Sequence, residues 1–315
     1  MLYVLAVLAG MGLLFFAMTF ICYLLTFTVP QKYKGDPHVL PDGDEYDALR
    51  QRANDLIDAA LHLPCEQVWI TAHDGVKLRG RMFTVREGAP VQILFHGYRS
   101  HAVRDLSGGL QLALESGCNA LLVDQRAHGD SKGHSLAFGV LERFDALAWV
   151  EYVNATYGTD TPIILTGISM GAATVTMAAA LPLPPNVVGI IADCGYTSPK
   201  AIICKVIKQL HLPAFIYHCI RLSGRIYGGF DVEDATSEQA VRQTDIPILF
   251  IHGENDNFVP CDMSRTLYAQ CVSQKTLFTV PTAGHGLSYL YDTNGYTEAV
   301  QTFLQTVLPQ LITPK

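Results

Sequence analysis

Of 315 residues, 49% are hydrophobic and 16% charged, and 29 acidic side chains against 22 Lys and Arg leave a net charge of -7. That length and composition can bury a full-sized core, and one large α/β domain with an insertion fits them better than two equal domains. The basic residues are scattered rather than clustered, which excludes the electrostatic footprint of a nucleic-acid binder.

The chain begins with an apolar run, Leu2 to Val29, uninterrupted by charge. It is long enough to cross the roughly 30 Å hydrocarbon core as a helix. A cleaved signal peptide would need a basic start, an apolar core of only about 7–15 residues and a small-x-small cleavage site, none of which is clear. The run is therefore expected to be an uncleaved membrane anchor over residues 1–30. Lys32, Lys34, Arg50 and Arg52 follow it while only the α-amino group precedes it, which by the positive-inside bias places the remainder on the cytoplasmic side. Seven of the eight cysteines lie beyond the anchor, an odd number without Cys-x-x-Cys or Cys/His ligand spacing. Neither a zinc site nor a disulfide framework is supported, and free thiols agree with a reducing compartment.

Residues 31–65 read as a connector followed by an amphipathic helix. Asp42-Gly43-Asp44 lacks the alternating oxygen ligands and distal Glu of a calcium loop, so a solvated linker is expected there. From Glu45 to Leu61, Tyr46, Leu49, Ala53, Leu56, Ile57 and Ala60 recur at helical spacing. That helix is expected to pack on the domain rather than lie on the bilayer.

The domain, residues 66–315, opens with a hairpin, Val68–Thr71 and Val76–Val85 around His73-Asp74-Gly75. Then strands and helices alternate: strand Val91–Phe95, helix Ala102–Ser116, strand Ala120–Val123, helix Leu136–Tyr157 and strand Ile163–Thr166. Strands Val187–Ala192, Ile246–Ile251 and Thr276–Val280 follow, with a closing helix Thr297–Val307. The alternation implies βαβ crossovers, hence a mostly parallel eight-stranded sheet with helices on both faces. It lapses between Asp193 and Asp245, where a segment rich in Ile, Leu, Phe and Tyr predicts a helical cap over about residues 196–243, its apolar side toward a ligand.

Ligands of such sheets gather outside the carboxyl ends of the strands, and polar residues stand at those ends: His96, Asp124, Ser169, Asp193, His252 to Asp256, and His285. The run Pro162 to Ile168 enters Gly167-Ile168-Ser169-Met170-Gly171 and leaves into a small-residue helix, the pattern of a sharp strand-to-helix turn that exposes a nucleophilic serine. A Ser hydroxyl needs a positioned base and a carboxylate to orient that base. In the order Ser, acid, His, the chain supplies Ser169, then Asp256 in His252-Gly-Glu-Asn-Asp-Asn-Phe-Val-Pro260, then His285 in Pro281-Thr-Ala-Gly-His-Gly286.

On these residues the chain resembles an α/β-hydrolase of the serine-esterase-like branch that carries one N-terminal membrane segment. The resemblance spans about Glu66 to Leu308 and includes His96-Gly97, the Asp124 to Ser131 loop, the Gly167 to Gly171 turn, Gly253-x-x-Asp256-x-x-Val259-Pro260, and Gly284-His285. It implies Ser169 as nucleophile, His285 as base and Asp256 as acid. The oxyanion donors would be the backbone N–H groups of Met170 and Tyr98. His-Gly-Tyr-Arg replaces the multi-glycine loop of many lipases, which weakens any inference to bulky-alcohol esters. Glu254 is the lesser candidate for the acid. His128 and Asp130 are read as turn-stabilising, His96 as ordering the oxyanion loop, and Cys194 as a buried thiol. Arg99, Arg104 and Arg126 either meet a substrate carboxylate or pair with local acids.

The expectation is a membrane-anchored serine hydrolase acting on a carboxylic ester through an acyl-enzyme, with no metal or organic cofactor. Its substrate would be a small ester, with lipophilic acyl chains suggested by anchor and cap. The alternatives are a serine peptidase or amidase on short peptides, and a non-catalytic membrane-anchored scaffold of the same fold.

Overall fold

The computed structural model describes residues 1–33, 35–41 and 43–309. Lys34 and Asp42, on which parts of the charge-bias and calcium-loop readings fall, lie outside the described residues, as does the tail from Gln310.

Eight strands form one sheet: β1 Glu66–Thr71, β2 Lys77–Phe83, β3 Val91–Phe95, β4 Asn119–Asp124, β5 Ile163–Ile168, β6 Val187–Asp193, β7 Ile248–Gly253 and β8 Lys275–Val280. Their order is β1-β2-β4-β3-β5-β6-β7-β8. β2 runs antiparallel to both β1 and β4, and every pair from β4 to β8 is parallel. The central strands are buried on both faces, as their unbroken Val, Ile and Leu runs require.

Alternate residues of each strand feed two cores. Ile93, Leu121, Ile163, Leu165, Ile190 and Phe250 face α4 (Glu142–Tyr157), α5 (Met170–Ala178) and α9 (Cys261–Gln270). Leu94, Leu122, Ile164, Ile191 and Leu249 face α3 (Ala102–Glu115) and α11 (Thr293–Val307), which follows the short α10 (Ser288–Tyr291). The period of two splits each apolar run between the layers.

The cap segment holds α6 (Pro199–Gln209), α7 (Ile216–Ser223), a wide turn over Gly224–Gly228 and α8 (Ser237–Val241). Beneath it lies a third cluster that includes Phe138, Met170, Tyr196, Ile203, Tyr217 and Phe230.

One expectation changes. The helix expected from Leu136 begins only at Glu142. Phe138 and Gly139 adopt left-handed backbone, φ 53° and 92°, and the buried Glu142 carboxylate accepts from the Ala137 and Gly139 amides at 2.7 and 2.8 Å. A helix cannot run through that turn. α2 (Asp44–His62) buries Ile57 and Ala60 in the same core as α3.

The N-terminal helix α1 (Leu2–Phe27) is long and apolar enough to cross a membrane, a property that a signal sequence shares, and most of its large side chains are exposed. Its last turns are different. Thr19, Tyr23 and Phe27 recur every four residues on one stripe and are buried against the cap. Tyr227 accepts or donates at Thr19 Oγ1 (3.3 Å) and donates to the Phe16 carbonyl (3.1 Å), and the Phe27 ring meets Phe138 and Phe230 edge-on at 6.0 and 5.1 Å. Because Phe27 is fully buried, Phe27→Ala should cost about 3–5 kcal/mol through lost transfer and cavity terms. Chemical denaturation in detergent micelles checks this; no shift in midpoint would mean that α1 is only a tether.

Candidate active site

The turn after β5 is as sharp as its sequence requires. Ser169 sits at φ 56° and ψ -114°, a conformation unusual for a residue with a Cβ. Its amide donates to the Asp193 carbonyl at 2.8 Å, which ties the turn to the end of β6. A Cβ at Gly171 would stand 2.0 Å from the Phe95 carbonyl oxygen, and one at Gly167 would stand 2.2 Å from Gly171 backbone. Glycine at both places therefore lets the first turn of α5 press against the end of β3. That contact sets the serine beside the loop that leaves β3.

Three loops then converge on Ser169. His285, in the loop after β8, places Nε2 2.9 Å from Ser169 Oγ and Nδ1 2.6 Å from Asp256 Oδ2. Asp256, in the loop after β7, also receives the Phe258 and Val259 amides on Oδ1 at 2.8 and 2.7 Å. His252 approaches Oδ2 at 3.2 Å. Burial alone would raise this carboxyl, but the bonds from His252 and His285 outweigh it and hold the group far below the usual carboxylate range. An ionised carboxylate only accepts, so His285 Nδ1 carries the proton, and Nε2 is left as acceptor for the serine hydroxyl. Ser169 and Asp256 are buried, and the His285 side chain keeps 17% exposure.

The loop after β3 forms the opposite wall. Gly97 N donates to Asp105 Oδ2 on α3 at 2.9 Å, and a Cβ at Gly97 would lie 3.5 Å from Ser169 Cβ. His96, kept neutral by burial, accepts the Gln125 amide on Nε2 at 3.0 Å, while Nδ1 bonds the Gly97 carbonyl at 2.8 Å. His128 Nε2 accepts from the Arg99 amide at 3.0 Å. Thus His96, Gln125 and His128 order the loop that carries Tyr98. Met170 is the first residue of α5, so its amide has no intrahelical acceptor. Among the described residues neither it nor the Tyr98 amide donates to a protein acceptor. Met170 directly follows Ser169, and Gly97, which precedes Tyr98, lies against Ser169.

Of the remaining candidates, the charged ones are engaged elsewhere, and Cys194 alone lies close to Asp256 and His285. Glu254 turns outward to Arg265 and Thr279. Asp130 pairs with Arg79. Arg126 is held by Asp145 and Asp74, and Arg104 by Asp105, Ser100 and the Val39 carbonyl. Cys194 brings its sulfur into one group with Asp256 and His285, all ligand atoms within 4.8 Å of one another. Both His285 nitrogens and both Asp256 oxygens are already engaged in hydrogen bonds. Burial first, then Asp193 and Asp256, pushes the thiol well up, so it stays protonated rather than nucleophilic.

Sequence reasoning missed several partners. His252 is legible afterwards as the His four residues before Asp256, and Asp105 as the acid in the first turn of the helix after the glycine loop. Tyr46 of α2 donates to the His285 carbonyl at 2.9 Å. Nothing near Tyr46 in the chain signals that contact, which spans 239 residues.

Because the folded Asp256 carboxyl titrates below its unfolded counterpart near 3.9, its contribution to stability is present above about pH 4 and is lost as the pH falls through the folded value. Asp256→Asn should accordingly lower the melting temperature at pH 7 more than at pH 3. Equal losses at both pH values in thermal melts would refute that coupling.

Comparison with known proteins agrees with this architecture. Residues 89–233 match the family model described as serine aminopeptidase, S33, and residues 200–287 the one described as serine hydrolase (FSH1). Protein YqkD of Bacillus subtilis is 24% identical over 235 residues, 74% of this chain and 77% of that protein. Human protein ABHD12B is 26% identical over 196 residues, 58% of this chain and 50% of its own length. The esterase Pf2001 of Pyrococcus furiosus superposes with a TM-score of 0.65 at 22% identity, covering 79% of this chain and 95% of that one. Est1E of Butyrivibrio proteoclasticus, solved with ferulic acid bound, gives 0.61 at 23%, covering 77% and 99%. By its sheet, its sharp turn at Ser169 and these likenesses, the chain has the α/β-hydrolase fold, and two serine-hydrolase family models match parts of it.

Proposed function

We propose that the protein is a membrane-anchored serine hydrolase that cleaves a carboxylic ester through an acyl-enzyme on Ser169. One observation carries the proposal: a single imidazole, His285, bonds the serine hydroxyl with one nitrogen and the ionised Asp256 with the other. As the Ser169 oxygen attacks the substrate carbonyl, its proton passes to His285 Nε2, and Asp256 stabilises the imidazolium. The Tyr98 and Met170 amides bind the oxyanion. His285 then delivers the proton to the departing alcohol, and the ester carbon remains bonded to Ser169. Water repeats the sequence, giving its proton to His285 and releasing the acid.

Anchorage is supported by the length and composition of α1 and by its packing on the cap, contacts that would be lost on cleavage. The charge bias of the sequence directs the domain to the cytoplasmic side. Protease accessibility in intact cells tests that orientation. An apolar cap set beside a membrane helix favours lipophilic acyl groups drawn from the bilayer.

A second reading has a specific observation behind it. The model matched by residues 89–233 is described as a serine aminopeptidase, and the same relay serves amides. Acyl p-nitrophenyl esters assayed beside aminoacyl p-nitroanilides separate the two, with faster ester turnover expected.

In full-length protein a fluorophosphonate should label Ser169, and Ser169→Ala should lose both labelling and at least about 10⁴-fold in kcat. Identical behaviour of wild type and variant would leave a non-catalytic scaffold. Across p-nitrophenyl esters from acetyl to decanoyl, kcat/KM should rise by roughly threefold or more for each added methylene until the pocket is filled. A flat profile would remove the lipophilic substrate.

A further inference from the structure

An α-helix ends with four carbonyls that no later amide can reach, and they form the negative pole of its dipole. At the end of α1 these are Leu24, Leu25, Thr26 and Phe27, and the helix has no basic residue in its last turn. All four are nonetheless bonded. Thr28 Oγ1 donates to Leu24 O at 2.7 Å and the Leu136 amide to Phe27 O at 2.8 Å. The others are reached from one place. The Tyr98 hydroxyl donates to Thr26 O at 2.9 Å, Arg99 Nη2 to Leu25 O at 2.8 Å and Leu24 O at 3.4 Å, and Arg99 Nε to Thr28 O at 2.9 Å.

Tyr98 and Arg99 are consecutive, and Tyr98 carries one of the two amides assigned to the oxyanion. Arg99 is held at φ 49°, outside the conformations a side-chain-bearing residue prefers, with its own amide on His128. Its guanidinium lies 5.0 Å from the centroid of the Tyr98 ring, which stacks on Phe138 at 5.2 Å. Phe138 in turn packs on Phe27 of α1. The backbone between His96 and Ser100 is thus fixed on one side by Gln125 and His128 of the loop after β4 and on the other by the carbonyl end of α1.

We propose that Arg99 is a positioning residue that fastens the oxyanion loop to the carbonyl terminus of α1, so that the membrane helix is a working part of the active site and not only its tether. This rests on the hydrolase reading above. The guanidinium does not touch the reacting atoms. It acts by holding the Tyr98 amide where the oxyanion forms, and a donor displaced by an ångström loses most of its value.

The test uses full-length protein in detergent micelles, with p-nitrophenyl butyrate as substrate and an alkyl boronic acid as the ligand that demands oxyanion donors. Arg99→Ala should lower kcat about 30-fold, leave KM within about threefold, and weaken the boronic acid by the same factor as kcat. Amide hydrogen exchange across residues 96–101 should speed up in parallel. Arg99→Lys, whose point charge cannot span three carbonyls, should recover only part of the loss, and Tyr98→Phe should cost about fivefold. The exposed Arg242→Ala should match wild type. If Arg99→Ala does not fold, the lysine and phenylalanine variants carry the test.

Wild-type kcat and unchanged exchange in Arg99→Ala and Tyr98→Phe would overturn the fastening. So would a rise in KM alone, which would make Arg99 a substrate contact. A wild-type protein inert to ester and fluorophosphonate would instead sink the hydrolase reading, and with it this role for Arg99.

Discussion

The arrangement depends on one close approach of backbone to backbone. At the turn after β5, Gly167 and Gly171 bring strand end and helix start so near that no side-chain carbon fits between them. Gly171 also rests directly on the carbonyl end of β3. Ser169 is therefore presented in a strained conformation within reach of the Tyr98 loop and of the loops that carry Asp256 and His285. Strain of this kind persists only where the surroundings over-determine it. Here the bond from Ser169 N to β6 and the packing of α5 between sheet and cap supply that constraint.

Around the serine, positioning outnumbers chemistry. Asp256 is held by two backbone amides and two imidazoles, so its charge is settled before any substrate arrives. Gln125 braces His96 from the β4 side, Asp105 braces Gly97 from α3, and Tyr46 holds the His285 carbonyl. These neighbours are buried polar groups with partners, the condition under which a low-dielectric site stays ordered. On the proposed mechanism little reorganisation is then left for the moment of reaction, which is the source of most electrostatic catalysis.

The N-terminal segments give this hydrolase its particular character. α1 ends on Tyr98 and Arg99, and α2 begins at Tyr46 beneath the His285 loop. The two walls of the candidate site are thus braced by segments that precede the first strand of the sheet. A helix that fits a membrane by its composition is packed by its final turns into the cap cluster, with Phe27 buried among Phe138 and Phe230. Hydrophobic burial and completed carbonyls act together there, and each makes the other more favourable.

The sequence alone determined what repeats at short range or needs a particular residue type. An alternating hairpin and six apolar runs located the strands, the order of Ser169, Asp256 and His285 matched one topology, and the glycine-flanked serine announced a sharp turn. Local chemistry misled only where a side chain from a few residues away intervened, as Glu142 does in unwinding residues 136–141. Tertiary structure decided the rest, because those contacts join residues far apart in the chain. Arg99 reaches α1 across more than seventy residues and Tyr46 reaches His285 across 239. Periodicity reports which face of an element is apolar, but not which distant carbonyl a guanidinium will find. Only the folded chain brings α1 and α2 against the walls of the candidate site.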